Sequence, residues 1–314
     1  MAWRIDFTEA DKKAYRQKKQ KELQALFQKI DEGVRGVFQS ERYREYLRVM
    51  SKFTHYSARN CLLIAMQMPG ATHVAAYGKW KMLGRQVERG QPGIAILAPM
   101  PFRRARETEK EDEEEIVDIG YKITHVFDIS QTSGKPLPEL VEELDGKLEP
   151  AQMEAVFRGL RKAVGIPIRF ADTGSGAKGY YSPSENEIVI QTGMSDAQTF
   201  KTGIHEAAHK LLHDPELEIA TVNTTREEKE TQAESIAYCV ASALHLDTSE
   251  YSFPYIASWS EGKTLEKLNK YLDEIQTAVQ TLTDAIETQL QELAESQEIG
   301  QEEAEDITLG GIAI

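Results

Sequence analysis

Residues 205–209 read His-Glu-Ala-Ala-His, an H-E-x-x-H pattern. On a helix, His205 and His209 stand one turn apart on the same face, so both imidazoles can meet one metal ion. Glu206 lies beside them, where its carboxylate can take a proton from a water made acidic by the metal. Zn2+ is the cofactor that these donors imply. Five residues also match by chance in long chains, so the pattern needs a third ligand. Residues 230–234, Glu-Thr-Gln-Ala-Glu, offer two carboxylates one helical turn apart, the first 21 residues after His209. Glu230 is assigned as the third ligand, leaving one coordination position open, and Glu234 as the acceptor for the outer N–H of a ligating imidazole. The reverse assignment is the alternative. Ala233, Ala237 and Ala241 leave room for close helix packing, and Ile236, Tyr238, Val240 and Leu244 are too apolar for a merely solvated acidic face. His213 continues the i, i+4, i+8 row but lacks the spacing of a third His ligand, so it is read as supporting a ligand or ending the helix. The remaining histidines, His55, His73, His125 and His245, have no ligand-like spacing, and neither Cys61 nor Cys239 has a catalytic signature.

A second cluster has binding chemistry. Tyr77 and Trp80 lie among Lys79, Lys81, Arg85 and Arg89. Proteins that hold single-stranded nucleic acid combine aromatic stacking platforms with cations that follow the backbone. Arg59 and Asn60 are placed in the same contact set, and Arg103, Arg104 and Arg106 extend the cationic track. The competing reading makes Trp80 a core anchor and the cations surface decoration. Charge is divided unevenly along the chain: residues 1–106 hold 21 Lys+Arg against 9 Asp+Glu, whereas residues 107–314 hold 16 against 42. The overall net charge of −14 thus conceals a basic segment suited to phosphate backbones.

Periodicity gives the elements that must carry these groups. Helical spacing runs over 7–39, 40–53 and 58–68. Residues 73–77 are expected to be extended, 79–83 a helical turn, and 85–99 a hairpin turning at Gly90 to Gly93. The acidic run 107–115 reads as a solvated loop before a strand at 116–129. A helix over 149–164, strands at 168–170, 179–182 and 187–191, and helices over 196–212 and 226–246 follow. The strand at 187–191 (EIVIQ) is expected to be the edge against which an extended peptide pairs. A leucine-rich stripe predicts one long helix over 264–294 that packs on its own domain, or alternatively joins two copies. The fold class is α+β with two domains. Residues 1–135 form a basic α+β module, 136–148 a linker, 149–294 a metal-binding module with a long C-terminal helix, and 295–314 a mobile acidic tail.

The chain has 314 residues, 40% of them hydrophobic and 28% charged, with only 2 Cys. This excludes collagen-like, wholly disordered and disulfide-stapled classes. No secretory signal or membrane-length apolar run is found, so a cytoplasmic protein is expected.

Several separate blocks carry a family resemblance. Ser57, Asn60, Leu63, Gln67, Tyr77, Trp80, Gly84, Arg85, Val87, Gly90, Gly93, Ile94, Pro99 and VFDISQT at 126–132 resemble the N-terminal domain of ArdC-type antirestriction proteins. GYYSP at 179–183, EIVI, the HEAAH helix with its following LLH, and ETQAES are similar to the second half of the same family. The resemblance implies a mobile-element protein with a single-stranded DNA-binding domain and a zincin-like metallopeptidase domain related to ImmA/IrrE peptidases. It associates the chain with protection of incoming DNA from restriction. The alternative function is a zinc peptidase that cleaves a host regulatory or defence protein, with DNA as a targeting or switch ligand.

Overall fold

The computed structural model describes residues 9–104, 116–137, 148–174, 176–217, 224–246, 248, 251, 253 and 256–310. In chain order the elements are α1 (Glu9–Val37), α2 (Ser40–Lys52), α3 (Ala58–Gln67), β1 (Val74–Ala76), α4 (Tyr77–Met82), β2 (Arg85–Val87), β3 (Ile94–Arg104), β4 (Ile116–Asp128), β5 (Thr132–Gly134) and α5 (Pro150–Val164). They continue with β6 (Ile168–Ala171), β7 (Gly179–Ser182), β8 (Glu187–Gln191), α6 (Asp196–His213), α7 (Arg226–Ala243), α8 (Ile256–Ser260) and α9 (Leu265–Gly310). Among the described residues no helix is long and apolar enough to cross a membrane.

Two compact units result: Met1–Val37 with Arg59–Leu137, and Phe38–Ala58 with Pro138–Ile314. Sequence order groups 38–58 with the N-terminal module, but the packing of α2 groups it with the second unit. Tyr43, Leu47 and Met50 on α2 are buried, and α2 lies against α7. The Tyr43 hydroxyl meets Ser235 Oγ at 2.8 Å, and Ser51 Oγ donates to Ser242 Oγ at 3.0 Å. Small side chains on α7 admit this close approach, and each of these hydroxyls finds its partner across the contact.

In the first unit, β4 is the central strand of an antiparallel sheet ordered β1-β4-β3. The pairing of β3 with β4 runs from Ile94↔Val126 to Arg104↔Ile116. The acidic run 107–115 and Arg106 lie outside the described residues. The hairpin expected over 85–99 does not form, because β2 pairs with β5 in a separate two-stranded sheet. The connecting loop is tied to the β5 side: Glu88 N–H donates to Gln131 O at 3.0 Å, and the Gln131 amide donates to Pro92 O at 2.7 Å. Proline has no N–H for a ladder, so the segment turns away there. The free edge of β3 is covered by α3. Gln67 exchanges hydrogen bonds of 2.9 and 3.0 Å with the backbone of Ala95, and Asn60 two of 2.9 Å with that of Leu97. Edge backbone groups are thereby satisfied by side chains.

In the second unit the sheet order is β6-β8-β7, with β8 parallel to β6 and antiparallel to β7. The EIVIQ segment is therefore the central strand rather than the edge. Its Ile188, Val189 and Ile190 are buried, as a strand covered on both faces requires. The edge beside α6 is β7. Helix α5 ends at Gly165 in the left-handed region and packs against α9. A Cβ at Gly159 would fall 2.7 Å from Ala285 O and from Ile286 Cα, so only glycine permits this backbone approach. On α9, Leu268, Leu272, Ile275, Val279, Leu282, Ile286 and Leu290 are buried against α5, α6 and α7. The stripe is thus covered within the second unit, as expected of a helix that packs on its own domain. The helix continues past residue 294 to Gly310. Residues 295–310 are rich in Glu, with Gln297 and Gln301 among them, residue types that favour helix without needing to be buried.

Candidate metal centre and nucleic-acid face

Two N-capped helices position the ligand set. Ser195 Oγ accepts from Gln198 N–H at 3.3 Å to start α6, and Thr225 Oγ1 accepts from Glu228 N–H at 3.2 Å to start α7. The helices pack together, and Ala207, Ala208, Ala233, Ala237 and Ala241 are buried. Their small side chains let the polar row of each helix face the other.

One donor atom each from His205, His209 and Glu230 lies within 4.8 Å of the others. His205 Nε2 is 3.1 Å from His209 Nε2 and 3.2 Å from Glu230 Oε2, and His209 Nε2 is 3.8 Å from the same oxygen. Ligand bonds of about 2.0–2.2 Å at tetrahedral angles put neighbouring donor atoms roughly 3.3–3.5 Å apart. The three separations bracket that value, so the donor set fits a tetrahedral divalent metal after small side-chain adjustments. Glu234 occupies a different place. Its Oε2 lies 3.8 Å from His205 Nδ1, on the far side of the ring, and its Oε1 accepts from Lys201 Nζ at 2.8 Å. Lys201 also stands 3.9 Å over the Tyr251 ring, whose backbone carbonyl accepts from the Arg44 guanidinium. His213 Nδ1 lies 2.9 Å from His209 Nδ1, behind the donor triangle.

Electrostatics separate the carboxylates. The hydrogen bond from His205 at 3.2 Å holds Glu230 well below the usual carboxylate range. Burial pushes Glu206 up, against the lowering charges of His205 and His209 and the Tyr181 N–H. Burial lowers His205, but the Glu230 hydrogen bond and the Glu206, Glu230 and Glu234 charges outweigh it and set this imidazole above its usual value. His213 is pushed down to about 4, chiefly by burial. Glu206 is 9% exposed, and its Oε2 accepts from Tyr181 N–H of β7 at 2.9 Å. This closeness needs glycine two residues earlier, since a Cβ at Gly179 would sit 2.6 Å from Thr202 Cγ2 and 3.4 Å from Glu206 Cγ.

The side chains of His205, His209 and Glu230 meet as their spacing predicts, because a helix repeat is a local property. No comparable signal marks their surroundings, and sequence reading gave no role to Lys201, Tyr181, Gln232 or Glu274. Lys201, one turn before His205, carried the one available signal, a cation at i−4 on the ligand face.

The nucleic-acid set is divided by burial. Trp80 is 1% exposed and its indole N–H donates to Phe127 O at 2.8 Å. It is a core anchor and does not stack on bases, which corrects its assignment; an apolar ring beside a sheet is more stable buried than wet. Asn60 is likewise committed to Leu97. Arg85 donates from Nε to Thr132 Oγ1 at 2.8 Å and from a terminal nitrogen to Thr132 O at 3.1 Å, fastening β2 to β5. Arg59 is half-buried, whereas Lys79, Lys81 and Arg89 are exposed. Tyr77 is 51% exposed, with its hydroxyl accepting from the Gln86 amide at 2.6 Å. The VFDISQT block is structural as well: the Asp128 carboxylate accepts from Thr72 N–H at 2.7 Å, His73 N–H at 3.0 Å and Ser130 N–H at 2.9 Å.

Comparison with known proteins finds two family matches along the chain. Residues 13–127 match the N-terminal domain of anti-restriction factor ArdC, and residues 161–253 match the IrrE N-terminal-like domain of peptidase family M78. An uncharacterized Bacillus anthracis protein is 26% identical over 298 residues, covering 82% of this chain and 50% of that protein. The chain thus spans about half the length of that curated relative. The metal-free crystal structure of antirestriction protein ArdC from plasmid R388 aligns with TM-score 0.50 at 24% identity, over 75% of this chain and 85% of that one, a likeness of fold. The Mn(II)-bound structure of the same protein aligns at TM-score 0.47 with the same identity and coverage. The chain thus carries an ArdC-type N-terminal domain followed by an IrrE-like, zincin-like domain.

Proposed function

We propose that this chain is an antirestriction-type protein of a mobile element that binds single-stranded DNA through its first unit and carries a zinc-dependent peptidase centre in its second. The observation that carries the peptidase reading is the triangle of His205, His209 and Glu230 with buried Glu206 beside it. When bound, zinc supplies Lewis acidity that lets water lose a proton near neutral pH. Glu206, raised by burial, takes that proton as water adds to the peptide carbonyl and delivers it to the departing amine. Glu230 stays ionised and offers charge to the cation. Glu234 faces the outer nitrogen of His205 and orients its ring, while Lys201 keeps Glu234 from swinging into the donor triangle. The substrate is a host regulatory or defence protein encountered in the cytoplasm.

The DNA-binding reading rests on the exposed group of Tyr77, Lys79, Lys81 and Arg89, a stacking ring with cations around it. Elemental analysis, peptide hydrolysis and a salt-dependent gel shift on a short oligonucleotide test both readings. Zinc at one equivalent, hydrolysis lost in Glu206→Gln, and preference for single strands are expected. Protein free of zinc after zinc loading sinks the peptidase reading, and equal affinity for duplex and single strand sinks the DNA reading.

A further inference from the structure

A continuous chain of hydrogen bonds leads from the donor triangle to α9. His209 Nδ1 lies 2.9 Å from His213 Nδ1, His213 Nε2 lies 3.0 Å from Gln232 Oε1, and Gln232 Nε2 donates to Glu274 Oε2 at 2.9 Å. Gln232 is 3% exposed, so water does not compete for its amide. Glu274 is also paired with Lys270, one turn back on α9, at 3.7 Å.

The direction of each bond follows from the far end. An ionised carboxylate only accepts, so Gln232 turns its NH2 toward Glu274 and its oxygen toward His213. That amide oxygen only accepts, so neutral His213 carries its proton on Nε2 and presents a bare Nδ1. His209 must then donate from Nδ1, which leaves its Nε2 as the lone pair facing His205 and Glu230. The nitrogen an imidazole offers to a metal is set by the hydrogen bond that its other nitrogen makes.

We propose that Gln232 and Glu274 are positioning residues which, through His213, fix His209 in the tautomer that presents a bare Nε2 to the metal site. The inference rests on the metal-centre reading for its purpose, but the proton order it assigns exists in the metal-free protein. Gln232 thus acts on α6 from α7, and the anchor of the chain is supplied by α9.

Long-range proton–nitrogen NMR of the histidine rings in metal-free, nitrogen-15-labelled protein reads the proposal directly, with zinc affinity from competition against a chelating dye beside it. In the wild type, His209 is expected to be protonated on Nδ1 and His213 on Nε2. Gln232→Leu should leave His209 as a mixture of tautomers and weaken zinc binding about 10–100-fold. The reversed pair, Gln232→Glu with Glu274→Gln, keeps an acceptor facing His213 and a donor behind it, and should restore both readouts. Glu274→Leu, a change on the less buried α9 residue, gives the same direction of effect should Gln232→Leu fail to fold. A wild-type His209 protonated on Nε2, or a folded Glu274→Leu protein with unchanged His209 tautomer and zinc affinity, overturns the proposal. Wild-type protein that shows the expected tautomers but takes up no zinc overturns the metal reading instead.

Discussion

Glu206 combines burial with a backbone hydrogen bond, and the two act oppositely on its proton. Its folded pKa lies above the unfolded value, so its contribution to stability is fully present below about pH 4, the ordinary range of a free glutamate, and is lost as pH rises through the folded value. Glu206→Gln should therefore make the metal-free protein more stable at neutral pH, and denaturant melts should show the gain vanishing below about pH 4. The same variant should keep its metal and lose about 10²–10⁴-fold in peptide hydrolysis. In the first unit, two aromatic substitutions should part company. Tyr77→Ala should weaken oligonucleotide binding by about 1–3 kcal/mol with an unchanged melting temperature. Trp80→Ala should cost about 3–5 kcal/mol of stability, because it empties a core site. The convergence of His205, His209 and Glu230 was legible because a five-residue pattern and an i, i+4 carboxylate pair need only the helix repeat. Trp80 was not, since a tryptophan among lysines has the same sequence whether its ring faces solvent or the interior.

At the level of elements, α-helices were read closely and strand partners were not. Apolar spacing at three and four residues states which face of α6, α7 or α9 is buried, and the burial of Leu268 through Leu290 follows it. Alternation in a strand states a face but names no neighbour, so β2 was matched to β3 instead of β5 and β8 was placed at an edge instead of the centre. The decisive contacts, Gln131 on Pro92 and β6 alongside β8, join residues far apart in the chain. The α5–α9 crossing depends on one missing methyl group: Gly159→Ala should destabilise the second unit by about 1–3 kcal/mol through overpacking, seen as a lower denaturant midpoint.

For the whole molecule, the distribution of charge matters more than its total of −14. Each phosphate contact to a single strand should contribute a slope of about −0.7 in log affinity against log salt. Residues 107–115 carry seven acidic groups and one lysine in the sequence between β3 and β4. Replacing them with a short turn between the paired ends Arg104 and Ile116 should tighten oligonucleotide binding at low salt, and a gel-shift titration would show it. The boundary between units was not legible in order along the chain, because the residues that assign α2, Tyr43 and Ser51, find their partners in Ser235 and Ser242. A gene cut once near codon 136 would therefore yield a C-terminal fragment stripped of a wall of its own interior, with the apolar surface of α7 laid open to aggregation. A working separation of the second unit needs residues 38–58 grafted back onto it.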